Sequence, residues 1–369
     1  HRLRHRGPLP RAGADIYASP QTEIATPRPA DVHGHRTSPP RAGLPTSRGI
    51  EHLNITVADL DEATAFFVDV LGCQTLYTMG PFEGRRGPFM RVIANADVRS
   101  VVHHVRVLRS PFLNIELFQV STPRQRPLWP DLLDIGGWGL VAAVADVDAA
   151  TDYLRGKELY ELGAGRWMTS WGFHFEVVAS PAPAPAWRPG PGALPGFRGF
   201  ERMHVTVADL DEASAFFEGV LGFERGADLS PWPRGGPEGG LRAFANVDAR
   251  ARPTRARSLR SPHLAVEIIE CPPYPGQNQS WPAMFDIGGW HLAFYVDDID
   301  AAFEWLTTRD VHILGRKKPA YLFEAGDEAY TIHCLAPFGL YAELVTYPHG
   351  RHLAAEHAGP AWHPAWPNG

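Results

Sequence analysis

Residues 51–73 read EHLNITVADLDEATAFFVDVLGC, and residues 201–223 read ERMHVTVADLDEASAFFEGVLGF. Each run opens with apolar and polar side chains in alternation, which is typical of a strand. An aspartate then precedes helical spacing of apolar residues, with Asp59 and Glu62 forming the capping pattern in the first run. Because the same strand–helix unit recurs 150 positions later, the sequence indicates an internal duplication.

The two copies stay in step beyond this unit. Residues 110–116 (SPFLNIE) match 261–267 (SPHLAVE), and the run DIGGW at 134–138 recurs at 286–290. Each copy holds two strand–helix units with further short strands, which predicts an α+β fold of two βαβββ modules per copy. We therefore expect these segments: a disordered tail (1–48), domain 1 (49–179), a proline-rich linker (180–199), domain 2 (200–347) and a C-terminal surface strap (348–369).

The amino-acid composition excludes several classes of protein. The 369 residues are 44% hydrophobic, which excludes a wholly disordered chain, and the net charge of −6 argues against a nucleic-acid partner. No apolar run approaches the roughly 18 to 20 residues that span a bilayer, so no membrane partner is expected. Three scattered cysteines provide neither a disulfide framework nor a zinc motif, which favours a reducing, cytoplasmic location.

Strand alternation selects candidate site residues. In the first strand Leu53, Ile55 and Val57 form the apolar face, so His52, Asn54 and Thr56 lie on the other face. The same reasoning places Glu116, His291 and Glu343 on the polar faces of their strands. A carboxylate such as Glu116 between core residues is costly unless a cation meets it.

Three sequence motifs resemble those of a known superfamily. The runs HxxxxVADLDxAxxFFxxVLG, GWHLAFYVDDID and PFGLYAELV resemble the vicinal oxygen chelate superfamily, which includes glyoxalases, bleomycin-resistance proteins and extradiol dioxygenases. The resemblance spans both copies and leaves out the tails and the linker. It implies cup-shaped sheets that each hold one divalent metal, with ligands on the first and last strands of the paired modules.

Under this resemblance, each copy has lost one histidine from the four ligand positions. If the copies exchange halves, as in fused two-domain glyoxalases, one site is complete with His52, Glu116, His291 and Glu343. The other site then has Gly139, Glu176, Arg202 and Glu267 and no histidine ligand. We interpret it as a pseudo-site in which Arg202 would bridge both carboxylates in place of a metal. A shifted metal site using His204 and His174 is the alternative there.

The complete site is expected to hold one divalent ion among Fe, Mn, Ni, Co and Zn. The resemblance implies isomerase or lyase chemistry on a small substrate with two neighbouring oxygens, with Glu116 or Glu343 as the general base. Three alternatives stay open. They are an Fe(II) ring-cleaving dioxygenase using His52, His291 and Glu343; a single-domain variant using His204, His291 and Glu343; and a drug- or metabolite-sequestering protein with aromatic pocket residues. Those aromatics are Trp138, Trp290, Tyr295, Phe118 and Tyr341. A monomer or a homodimer fits equally well.

Overall fold

The computed structural model describes residues 43–82, 90–91, 94–163, 165–181, 193–229, 250–319, 328–351 and 360–366. Residues 1–42 of the expected tail and 182–192 of the expected linker lie outside these ranges. Structure begins inside the stretch expected as a tail, because Leu44 is buried and the first strand starts at Ser47.

Four βαβββ modules follow one another along the chain, as the sequence predicts. The strands of the first two are β1 (Ser47–Val57), β2 (Gln74–Met79), β3 (Val101–Ser110), β4 (Leu113–Ser121), β5 (Trp138–Val144), β6 (Leu159–Gly163), β7 (Arg166–Thr169) and β8 (His174–Ala179). Those of the last two are β9 (Phe197–Val207), β10 (Glu224–Leu229), β11 (Arg255–Arg260), β12 (Ala265–Glu270), β13 (Trp290–Val296), β14 (His312–Pro319), β15 (Tyr330–Leu335) and β16 (Tyr341–Thr346).

The strands form two eight-stranded mixed sheets that exchange the halves of the two copies. Sheet one has the order β14-β15-β16-β13-β1-β4-β3-β2, and sheet two has the order β10-β11-β12-β9-β5-β8-β7-β6. At the centre of each sheet, an antiparallel pair joins the copies: β1 with β13, and β5 with β9. The first module therefore shares a sheet with the fourth, and the second shares one with the third. The α+β class and the two βαβββ modules per sequence copy are confirmed.

One short helix follows the first strand of each module. These are α1 (Leu60–Ala65), α2 (Val147–Arg155), α3 (Leu210–Gly219) and α4 (Ile299–Thr307). Each begins after an aspartate whose carboxylate accepts two backbone N–H groups of the first turn: Asp59, Asp146, Asp209 and Asp298. Such a cap stabilises a helix by about 1 kcal/mol. The first helix continues as a π-helical turn, Phe66–Val70, which the sequence pattern does not distinguish from an α-helix.

The repeated DIGGW run joins the two sheets in the core. Trp138 and Trp290 are almost fully buried, and their ring centroids lie 5.8 Å apart. The Trp138 indole donates to the carbonyl of Gly288 at 2.9 Å, and the Trp290 indole donates to that of Gly136 at 3.1 Å. Each copy of the motif is thus hydrogen-bonded to the other, so the duplicated sequence stabilises one shared core.

Candidate metal centre

Two adjacent rows of side chains lie on one face of sheet one. In the first row Asn54 of β1 stands opposite Glu116 of β4 on one side and His291 of β13 on the other. In the second row His52 pairs with Ala293, which pairs with Glu343 of β16. Because directly paired residues share a face, all four residues of the expected complete site face the same cup.

Three of these four residues lie close enough together to bind one metal ion. Ligand atoms of His52, His291 and Glu343 all lie within 4.8 Å of one another, and the three residues are buried. The Nε2 atom of His291 is 3.2 Å from Oε2 of Glu343, and Nε2 of His52 is 3.4 Å from the same oxygen. Glu116 stands slightly apart, with its Oε2 3.6 Å from Nε2 of His52.

Glu51 orients His52 from behind, which the sequence analysis missed. Its Oε2 lies 2.5 Å from Nδ1 of His52. A carboxylate is a pure acceptor, so this contact favours a proton on Nδ1, and the Nε2 side of the ring points into the cup. Simple alternation puts Glu51 and His52 on opposite faces, but a register shift between Ile50 and His52 breaks the alternation here.

Arg351 is the second missed residue, and it comes from the C-terminal segment. Its guanidinium donates to Glu116 Oε1 at 2.7 Å, to Glu51 at 2.9 and 3.1 Å, and to the Tyr77 hydroxyl at 3.1 Å. This is the cation that the buried position of Glu116 requires. Further along the segment, the backbone N–H of Trp362 donates to Asn114 Oδ1, and the Asn114 amide donates to the Trp362 carbonyl. The described part of the segment thus covers the cup.

The electrostatics of the cup are dominated by buried carboxylates. Burial alone would lower the pKa of His52, but the charges of Glu116 and Glu51 outweigh it and raise that pKa to about 10. Burial works in the opposite sense on Glu343, yet its histidine neighbours His333, His291 and His52 hold its pKa well below the usual range. Nearby negative charge thus raises the pKa of His52, whereas nearby imidazoles lower the pKa of Glu343, both in a buried site.

The second oxygen of Glu343 has its own contacts. Thr331 donates a hydrogen bond to Oε1, and Nε2 of His333 lies 3.5 Å from the same atom. The rings of His333 and His291 both pack on Tyr341, at 5.5 and 5.2 Å between centroids. β15 places His333 directly opposite Glu343, a contact that only strand pairing reveals.

The donor set fits a divalent cation. Nε2 of His52 is buried and has no hydrogen-bond partner among the described residues. Three buried carboxylates, Glu51, Glu116 and Glu343, lie around the His52 ring, and Arg351 is the one permanent cation in the described part of the chain that contacts them. A dication would offset the remaining negative charge, and two imidazoles with carboxylate oxygens suit a transition metal.

The equivalent positions in sheet two hold a different arrangement. His204 occupies the place of Asn54, pairing with Glu267 and Gly139, and its Nε2 is 3.1 Å from Glu176 Oε2. Throughout the described ranges, His52, His291 and Glu343 are the one group of three metal-type residues close enough to share an ion. His204 lies in the other sheet, so no single-domain site combines it with His291 and Glu343.

The pseudo-site expectation for Arg202 needs a correction. Arg202 donates to its neighbour Glu201 at 2.7 Å and stays 3.9 Å from Glu267, so it does not bridge the two carboxylates. Arg166 on β7 binds Glu176 instead, at 3.1 Å, because β7 pairs directly with β8 at this point. The remaining space is a cavity of about 10 Å³, enough for roughly one water molecule.

Comparison with known proteins identifies relatives of this chain. Residues 202–330 match the profile of the Glyoxalase/Bleomycin resistance protein/Dioxygenase superfamily. A 2-epi-5-epi-valiolone epimerase from Actinomyces sp is 32% identical over 158 residues, which cover 39% of this chain and 85% of that protein. The chain belongs to the glyoxalase/bleomycin resistance/dioxygenase superfamily.

Solved structures of the superfamily fold cover most of the chain. A candidate dioxygenase from Bacillus subtilis subsp. subtilis str. 168 aligns with a TM-score of 0.53 at 16% identity, covering 85% of this chain and 89% of that one. Glyoxalase I from Zea mays aligns with a TM-score of 0.50 at 14% identity, covering 81% and 92%. At these identities the likeness shows the shared fold alone. In the described parts of this superfamily member, no helix is both long and apolar enough to cross a bilayer.

The aromatic residues expected to line a pocket divide into two groups. Tyr341 faces the cup against His291, and Tyr295 packs against His363 of the C-terminal segment at 4.4 Å between centroids. Trp138 and Trp290 do not line the cup, because each indole N–H is bound to a glycine carbonyl in the core between the sheets. Phe118 belongs to the first group, because it pairs with Thr56 on the cup face and packs against the hydrophobic cluster that includes Tyr341.

Proposed function

We propose that this protein is a metal-dependent epimerase that moves a proton beside the carbonyl of a small hydroxy ketone, in the cup of sheet one. The observation that carries the proposal is the meeting of His52, His291 and Glu343, drawn from both sequence copies, within 4.8 Å of one another in a buried cup. The epimerase relative supports the reaction class and suggests 2-epi-5-epi-valiolone as a test substrate.

In this proposal His52, His291 and Glu343 would hold the ion, and Glu116 would be its fourth ligand. A divalent ion would act as a Lewis acid that stabilises negative charge on the substrate's carbonyl oxygen. Glu51 keeps His52 in the required tautomer through its contact with Nδ1. Arg351 fixes one oxygen of Glu116 and leaves Oε2 facing the cup.

Two carboxylates are placed for proton transfer. Glu116 is on β4 and Glu343 on β16, at opposite sides of the central strands β1 and β13. Inverting a carbon centre requires removal of its proton on one face and return on the other. Glu116 Oε2 would take the proton in this proposal, since Glu116 lies outside the tight group of three, and would release it to solvent. A proton from solvent, delivered on the side of Glu343, would complete the inversion.

The test is metal content together with isotope exchange. Purified wild type is expected to bind about one divalent ion per chain and to exchange the proton next to the carbonyl of 2-epi-5-epi-valiolone in D2O, followed by NMR. His52→Ala should lose both the metal and the exchange, because it removes one of three ligands. His204→Ala is the matched control, since this buried histidine occupies the other sheet. Retention of metal by His52→Ala, or its loss from His204→Ala, would contradict the proposed site.

A second candidate is a ring-cleaving dioxygenase, and one contact favours it. Arg351 binds Glu116 Oε1 at 2.7 Å, which leaves two histidines and one carboxylate, the set used by many Fe(II) oxygenases. Oxygen consumption by the Fe(II)-loaded protein with a hydroquinone would support this function. Proton exchange without oxygen consumption would support the epimerase.

A further inference from the structure

We propose that Asn54 is a substrate-binding residue that recognises a hydroxyl group lying beyond the two oxygens of the hydroxy ketone. This inference rests on the proposed function and adds a substrate class to it, a polyhydroxylated ketone. Asn54 has no exposed surface, and neither Oδ1 nor Nδ2 has a hydrogen-bond partner among the described residues. A buried carboxamide left in this state costs folding free energy, so it requires an explanation.

The register places this carboxamide at the centre of the cup floor. Asn54 is flanked by Glu116 on β4 and by His291 on β13. It is two residues from His52 on the same strand, beyond the register shift, and therefore shares its face. A group bound between the proposed metal ligands and Glu116 would thus lie against Asn54.

Two neighbouring polar side chains, Thr56 and Asn114, have the hydrogen-bond partners that Asn54 lacks. Thr56, next on the same face of β1, donates its hydroxyl to the carbonyl of Met284 at 2.7 Å. Asn114, on the adjacent strand, has both ends of its carboxamide bonded, to Glu51 and to the backbone of Trp362. In sheet two, His204 occupies the equivalent position and binds Glu176. Among the described residues, the cup of sheet one has a buried amide without a protein partner at this point of its floor, whereas the cup of sheet two has a histidine there.

The chemistry of the amide defines what it would bind. A carboxamide offers one acceptor and two donors and carries no charge. A hydroxyl is its complement, because it accepts from Nδ2 and donates to Oδ1 at the same time. A site built to hydrogen-bond a hydroxyl strongly rejects an analogue that lacks it, because the buried polar group then loses its partner. We therefore assign the enzyme a preference for ketones bearing an additional hydroxyl over deoxy analogues.

The experiment compares Asn54→Leu with Thr56→Val. Leucine has a similar volume and no polar atom, so the substrate-free, metal-loaded Asn54→Leu protein should melt about 2 to 4 °C higher than wild type. Its metal content should stay at the wild-type level, while kcat/KM for 2-epi-5-epi-valiolone should fall about 100-fold or more. Thr56→Val loses a satisfied hydrogen bond and should show the reverse: a lower Tm with kcat/KM within a few-fold of wild type.

Each outcome decides between the two proposals. Wild-type exchange activity with unchanged kcat/KM in Asn54→Leu would overturn the role of Asn54 and leave the proposed function standing. A lower Tm for Asn54→Leu would also overturn it, because the amide would then be satisfied in the folded protein. Absence of metal and of exchange in wild type would overturn the proposed function and this inference with it.

Discussion

Replacing Arg351 by methionine tests how the cup is held together. The Arg351 side chain is about 1% exposed and contacts two buried carboxylates, Glu51 and Glu116. Methionine keeps most of the volume and removes the charge, so both carboxylates lose their cation without a large cavity. Removing one partner of a buried ion pair costs about 3 to 5 kcal/mol, since the remaining charge stays desolvated. We expect a loss of this size in the free energy of unfolding of the metal-free protein.

The assay is urea unfolding followed by circular dichroism, arranged as a double-mutant cycle with Glu51→Gln. If uncompensated charge is the cause, the double variant should be more stable than the sum of the single losses predicts, by about 1 to 3 kcal/mol. Arg109→Met is the matched control, because Arg109 also binds the C-terminal segment but through the Pro360 carbonyl, at 2.5 Å. It should lose only about 1 to 2 kcal/mol.

Two results would refute this reasoning. A loss below about 1 kcal/mol in Arg351→Met would place the guanidinium in a solvated site, where ion pairs contribute little. Additive losses within about 0.5 kcal/mol would show that Glu51 and Arg351 do not interact in the folded protein.

The remaining predictions concern sheet two. Burial lowers the pKa of His174 to about 4. Below about pH 6.5 the unfolded chain therefore binds a proton that the folded protein does not bind. The free energy of unfolding should fall by about 2 kcal/mol between pH 7.5 and pH 5. His174→Gln should flatten this part of the pH profile of Tm, and an unchanged slope would contradict the assignment. A Cβ at Gly139 would stand 2.8 Å from the His174 carbonyl oxygen, so Gly139→Ala should cost about 1 to 3 kcal/mol in thermal unfolding. Gly139→His should therefore fail to create a second metal site, as metal content per chain would show.

Much of this structure follows from the sequence because it depends on local periodicity and repetition. Alternation placed His52, Glu116, His291 and Glu343 on polar strand faces, and the loss of one histidine per copy was compatible with exchanged halves, which the strand order now shows. Whether the four residues bind metal stays a prediction. The aspartate caps are confirmed because a cap depends only on neighbouring residues.

The residues that the sequence did not reveal act through long-range contacts or local irregularities. Glu51 faces the cup because the strand shifts register beside it, and no periodic pattern encodes that shift. Arg351 reaches Glu51 from 300 positions away, so only the folded chain brings them together. Trp138 and Trp290 lie in the core between the sheets and not in the pocket of the binding-protein alternative, and strand patterns alone do not separate these two positions.

The exchanged halves also determine how far the two cups can differ. In a symmetric dimer of identical subunits, a substitution in one site appears in the other as well. Here one chain contributes four distinct modules, so Gly139 and Arg202 change sheet two without altering the histidines of sheet one. Substitutions can thus change the cup that holds His52 and His291 independently of the opposite cup. A substitution in one module therefore affects one sheet directly, although each sheet contains strands from both copies.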